Sequence, residues 1–139
     1  MKVTTEEIVV QTRGRGFFEI TDSARQFQRM GAVHSGALTL HCRHTSASLV
    51  IQENADPDVR VDFDAYFERL VPDGADYFQH TMEGTDDMAA HIRTALTATN
   101  LTIPIIDGDL SLGTWQGIYL WEHRYRPHRR RIAMCLIGA

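Results

Sequence analysis

The sequence predicts an α+β domain, a compact and largely antiparallel β-sheet or sandwich core with two or three helices. Three observations predict it. Short β-prone runs with two-residue alternation open and close the chain. The helical patterns interrupt them as one helix and later a pair, not in regular strand–helix alternation. No glycine-rich phosphate loop or dinucleotide fingerprint is present, which excludes the usual doubly wound nucleotide binders. With 139 residues, 43% of them hydrophobic, there is material for one core and not two, so residues 1–139 read as a single domain.

Residues 3–12 contain Ile8, Val9 and Val10 and read as the first strand. Gly14-Arg15-Gly16 breaks it, and Phe17-Phe18-Glu19-Ile20 reads as a short second strand. Thr21 or Asp22 is placed to cap a helix running to about Met30, with Gly31 as the glycine that ends it. In residues 36–43, Leu38, Leu40 and Cys42 share one parity and Thr39 and His41 the other, the pattern of a half-buried strand. Residues 48–53, with Leu49, Val50 and Ile51, form the next. Asp56-Pro57 starts a helix, a capping acid followed by proline at the first helical position. Val59, Phe63, Tyr66, Phe67 and Leu70 are spaced to face a core, and Pro72-Asp73-Gly74 ends the run. Thr85 is placed to cap a further helix whose predicted apolar stripe is Met88, Ile92, Ala95 and Leu96. Residues 101–106, 113–122 and 131–137 read as three closing strands. Both parities of the segment from Gly113 to His123 are largely apolar, which marks a central or interface strand.

The net charge of -4 gives no overall cationic field, so nucleic acid is not an expected partner. The one local exception is the arginine-rich segment 124–131, which reads either as a phosphate-binding patch or as a solvated turn. Cys42 and Cys135 sit in apolar β-like runs, where cysteine behaves as a small buried hydrophobe. The N-terminus lacks the apolar stretch of a signal peptide, and no run approaches a membrane span, so a cytoplasmic protein is expected.

His44 continues the parity of Leu38, Leu40 and Cys42, which points it inward at a strand end among the hydroxyls of Thr45, Ser46 and Ser48. That setting suits proton transfer or ligand binding; a histidine held by local backbone is the structural alternative. Glu53 shares the parity of Leu49 and Ile51, and Glu122 ends an apolar row, so each carboxylate calls for a cationic or hydrogen-bonding partner. His80 and His91 flank the acids Glu83, Asp86 and Asp87, a set able to bind a divalent metal or simply to pair on a helix surface.

Four segments together resemble the YjbQ family. They are His44-Thr45-Ser46-Ala47-Ser48, the stretch from Glu53-Asn54-Ala55-Asp56-Pro57 to Val59, Glu83-Gly84-Thr85-Asp86-Asp87 running on to Ile92, and Leu112-Gly113-Thr114-Trp115-Gln116-Gly117 running on to Leu120. Their order and spacing carry the resemblance over nearly the whole chain. It implies a homotrimer with a polar site near the subunit boundary and a divalent metal, zinc or magnesium. It also implies a small phosphorylated substrate and a reaction of the secondary thiamine-phosphate synthase type. In that reaction a pyrimidine diphosphate joins a thiazole phosphate with loss of pyrophosphate. Carried onto this chain, the resemblance implies catalytic roles for His44, Glu53 and Glu122, and substrate contacts from Thr45, Ser46, Asn54, Trp115 and Gln116. The implied metal ligands are His80 and His91. A metal-dependent hydrolase or lyase on a small phosphorylated or carbonyl substrate fits the same residues, as does a non-catalytic trimeric binding protein. One departure is Asp109, which stands where the family usually carries an arginine.

Overall fold

A computed structural model describes all residues, 1–139. Eight strands and three helices follow in the order β1 (Lys2–Gln11), β2 (Gly16–Glu19), α1 (Thr21–Gly31), β3 (Gly36–Cys42), β4 (Ala47–Glu53), α2 (Pro57–Leu70), α3 (Asp87–Leu96), β5 (Asn100–Ile106), β6 (Asp109–Leu110), β7 (Gln116–Glu122) and β8 (Arg129–Gly138). They form a five-stranded sheet, β1-β8-β3-β5-β6, and a three-stranded sheet, β2-β7-β4. Every pairing is antiparallel, as expected of the α+β class. No helix is long and apolar enough to cross a membrane.

The core lies between the two sheets. Leu38, Leu40, Ile103, Ile105, Ile132, Met134 and Leu136 come from the large sheet. They meet Ala47, Leu49, Ile118 and Leu120 from the small one, with Ala24 and Phe27 of α1 closing the side. The parity expected for residues 36–43 and 113–123 is what the strands show. The even residues Ile118, Leu120 and Glu122 of β7 face the core side, and the odd residues Tyr119 and Trp121 face α2. There Trp121 stacks on Phe17 at 4.5 Å and takes Phe63 and Phe67 edge-on. β7 is therefore the central strand of its sheet, covered on both faces. The other face of the large sheet, carrying Val3, Thr39, Cys135 and Ile137, is not covered by any helix of the chain.

The helices depart from expectation in three ways. Neither Thr21 nor Asp22 caps α1. Thr21 instead donates to Glu19 and accepts the backbone N–H of Ile118, and the left-handed residue that ends the helix is Ala32, one position past Gly31. α2 starts as expected, with Asp56 accepting from the N–H of Asp58 ahead of Pro57, but none of its residues is fully buried, and Tyr66 and Leu70 face solvent. α3 buries Asp87, Ala89, Ala90, Arg93 and Thr94 and leaves Leu96 exposed, so its inner face is not the predicted apolar stripe. Arg93 explains this: its Nη2 donates to the carbonyls of Phe67 and Val71 at the C-terminal end of α2. A guanidinium that caps a neighbouring helix must point inward, and it takes its helix face with it.

Candidate functional site

Asp87, at the first turn of α3, gathers two histidines. His80 Nε2 lies 2.7 Å from Asp87 Oδ2, and His91 Nε2, one helical turn along, lies 3.3 Å from the same oxygen. One donor atom from each of the three residues falls within a 4.8 Å cluster. Asp87 is buried while both histidine side chains reach solvent, so the cluster is closed behind and open in front.

Two outer contacts orient these groups. His91 Nδ1 donates to the carbonyl of Thr45 at 2.9 Å, so that in the neutral ring Nε2 is the lone-pair nitrogen, facing Asp87. Arg124 donates through Nη1 to Asp87 Oδ1 at 2.7 Å, through Nε to Asp86 at 3.0 Å and through Nη2 to the carbonyl of Glu83 at 2.8 Å. Burial pushes the Asp87 carboxyl up, but the His80 hydrogen bond and the charges of Arg124 and the histidines outweigh it and hold it below the usual carboxylate range. Nitrogen and oxygen ligands at about 2.0–2.2 Å from zinc stand roughly 3.3 Å apart in a tetrahedron. Two imidazoles and a carboxylate already within a few ångströms fit a divalent ion with an open position, and the Thr45 and Arg124 contacts are the outer supports such a site needs.

The remaining candidates divide between two ends of one strand pair. Ala47 of β4 is opposite Glu122 of β7, and Glu53 is opposite Gln116. Six residue steps separate those ends by about 20 Å. Near the His–Asp–His cluster are His44, Thr45, Ser46 and Glu122. His44 is half-buried on the loop after β3, with Nε2 accepting the backbone N–H of Arg131 at 2.7 Å. Glu122 is wholly buried and held by Arg130 Nε and Nη2, at 2.8 and 2.5 Å, and by the Thr12 hydroxyl at 2.7 Å. No oxygen of Glu122 reaches solvent, so its part is to hold the turn rather than to meet substrate. Ser46 is held by the same Arg130.

At the far end, Glu53 accepts from the N–H of Asp56 and Gln116 accepts from the N–H of Gly113. Asn54 donates its N–H to the Trp115 carbonyl, and the Trp115 side chain is 63% exposed. A single chain thus does not bring these four residues to the histidines.

Sequence reasoning placed Asp87 among the acids beside His80 and His91 without singling it out, and passed over Arg124 as its support. The four-residue spacing of Asp87 and His91 was the available signal for the first. The arginine segment is neither a free phosphate patch nor a solvated turn throughout. Arg124 and Arg130 are drawn inward by Asp86, Asp87 and Glu122, while Arg131 pairs with Glu7 at the surface. Asp109 is exposed, paired with Arg25 at 2.9 Å, in a hairpin at the end of β3 away from the cluster.

A further histidine is sealed inside. His123 Nε2 lies 2.8 Å from the Ser48 hydroxyl, both fully buried. Burial, with Arg93, Arg15 and Arg130 nearby, pushes the imidazole down to about 3. The folded chain keeps it neutral where the unfolded chain, near 6.5, takes up a proton. Stability is therefore greatest above pH 6.5 and falls as the pH drops from there toward 3, by up to about 1.4 kcal/mol per pH unit from this one group. Urea unfolding from pH 7 to 4 should show a steeper loss in the native chain than in His123→Gln; parallel slopes would refute the assignment.

The chain is thus an antiparallel α+β domain with an open-fronted His–Asp–His cluster whose donor atoms lie close enough together to hold a metal ion. The chain belongs to the YjbQ/UPF0047 family: the family model described as "UPF0047 protein YjbQ-like" matches residues 6–139. It is 47% identical over 133 residues to the UPF0047 protein sll1880 of Synechocystis sp., covering 96% of this chain and 90% of that one. It is 43% identical to the YjbQ protein of Escherichia coli O157:H7, covering 94% and 95%. A crystal structure of a YjbQ/UPF0047 family protein from Clostridium acetobutylicum superposes with a TM-score of 0.88 at 33% identity, covering 95% of this chain and 99% of that one. A YbjQ-like protein from Sulfolobus solfataricus has the same fold, with a TM-score of 0.89 at 22% identity and 99% of each chain covered.

Proposed function

We propose that this chain is a cytoplasmic, divalent-metal-dependent enzyme acting on a small phosphorylated substrate by a reaction of the thiamine-phosphate synthase type. The observation that carries the metal part is the His80–Asp87–His91 cluster, open to solvent on one side and braced behind by Thr45 and Arg124. His80, Asp87 and His91 hold the ion, and Arg124 and the Thr45 carbonyl fix the aim of Asp87 and His91. When bound, zinc or magnesium supplies positive charge for a leaving pyrophosphate. The working unit in this reading is a homotrimer. The uncovered outer face of the five-stranded sheet supports it, as does the 20 Å split of the site residues: Asn54, Trp115 and Gln116 reach the metal cluster only from a neighbouring subunit. Trp115 then offers a flat apolar wall to a heteroaromatic ring.

Asp109 favours a second reading. Without an arginine at this place, and with a carboxylate paired to Nη1 of Arg25 instead, the local charge is less favourable to phosphate, which suits a hydrolase or lyase on a smaller phosphorylated or carbonyl substrate. Product analysis with pyrimidine diphosphate plus thiazole phosphate, against a panel of simple phosphate esters, separates the two. His91→Ala and His44→Ala should each lose activity with oligomer size and melting temperature nearly unchanged. Full activity in both variants rejects the site. Ligand binding without turnover of any compound would make the protein a trimeric binding module instead.

A further inference from the structure

A groove of about 730 Å³ runs beside the cluster and shares His91 with it. Its walls are His41, His44, His91, Arg43, four threonines, Cys42 and Ala95. No carboxylate lines it, in a chain with 18 acidic residues and a net charge of -4. Such a wall presents hydrogen-bond donors and no fixed negative charge, the lining an anionic ligand needs. Glu7 lies behind it and takes only Nη1 of Arg43, at 2.6 Å, from a guanidinium with five donors.

His44 defines the polarity of the groove more sharply. Its Nε2 accepts the backbone N–H of Arg131 at 2.7 Å. A backbone N–H only donates, so Nε2 holds a lone pair and the proton of the neutral ring sits on Nδ1. Burial and the adjacent Arg130 push the imidazole below its ordinary range, which keeps the ring neutral at pH 7. His44 is thus a fixed donor rather than a base.

We propose that this groove is a phosphate subsite in which His44 donates through Nδ1–H to a phosphate oxygen, assisted by Arg43 and the hydroxyls of Thr45 and Thr99. The ligand is a small phosphate monoester or diphosphate whose remaining part extends toward His91. The assignment deepens the metal-enzyme reading by naming what lies next to the metal, but the subsite itself stands without the ion.

Inorganic phosphate added to metal-free, 15N-labelled protein is the probe. Imidazole nitrogen spectra at pH 7 should show His44 as the Nδ1–H tautomer, and phosphate should shift that signal saturably. His44→Gln keeps an acceptor within reach of the Arg131 N–H but places no donor at the δ position, and should bind phosphate about tenfold more weakly or worse. His44→Asn restores a donor there and should stay within about threefold of the native chain. His80→Ala removes a metal donor and no groove wall, so phosphate binding should survive in it while zinc binding is lost. An Nε2–H tautomer, unsaturable phosphate, or His44→Gln binding as well as the native chain would overturn the subsite. Phosphate binding in a chain that takes up no zinc supports the subsite and overturns the metal reading; zinc without phosphate does the reverse.

Discussion

His91→Ala and Asp87→Asn are expected to bind zinc at least about 100-fold more weakly than the native chain, because each removes a direct ligand and not a support. Arg124→Ala should fall less, by about 10- to 100-fold, since Arg124 would act on a bound ion only through Asp87. That ranking, measured by calorimetric titration of metal-free protein, distinguishes a metal centre from a surface ion-pair network. In a network, Arg124 is the strongest partner of Asp87 and its loss would matter most. His91→Ala keeps the fold, because His91 is half exposed and makes one hydrogen bond to backbone. Its melting temperature should stay within a few degrees of native, which ties the lost affinity to the site. A native chain that binds no divalent ion in this titration rejects the centre.

The strands were legible because their cause is local. Leu38, Leu40 and Cys42 alternate with Thr39 and His41, and only a pleated strand with one buried face satisfies that pattern. The doubly apolar run after Gly113 likewise foretold a strand covered on both sides, though Gly113 to Trp115 form a turn and the strand begins at Gln116. What failed was the inner face of α3. Periodicity weights apolar residues, whereas this helix buries Arg93 for the carbonyls of α2 and Asp87 for two histidines and Arg124. The α2 carbonyls and Arg124 lie 20 or more residues away in sequence, and no local pattern encodes them; only the histidine partners of Asp87 are local. The site showed the same limit. His80 and His91 were visible as residues beside acids, but only the fold shows that Thr45 aims one of them and that Trp115 sits at the other end of the strand pair.

The turn from His44 to Ser48 owes its position to one buried ion pair, and breaking that pair should have the largest effect on stability. Glu122 is fully buried and Arg130 nearly so. Their fork is bidentate, at 2.8 and 2.5 Å, and the hydroxyl of Thr12 and the N–H groups of His123 and Arg124 take up further capacity of the carboxylate. Arg130 also donates to the carbonyl and hydroxyl of Ser46. The end of β7, the start of β8, the chain after β1 and the turn before β4 therefore meet on two side chains. Arg130→Met leaves a buried carboxylate uncompensated and should cost about 3–5 kcal/mol, or roughly 10 °C in melting temperature. Glu122→Gln/Arg130→Met should recover part of that loss, since the neutral amide keeps an acceptor for Thr12 and removes the stranded charge. A double variant no more stable than Arg130→Met would mean that packing, not charge, sets the cost. Because Ser46 adjoins Thr45, the single variant should also weaken zinc binding at His91, and the double variant should not restore it fully, as Ser46 has lost its donor in both.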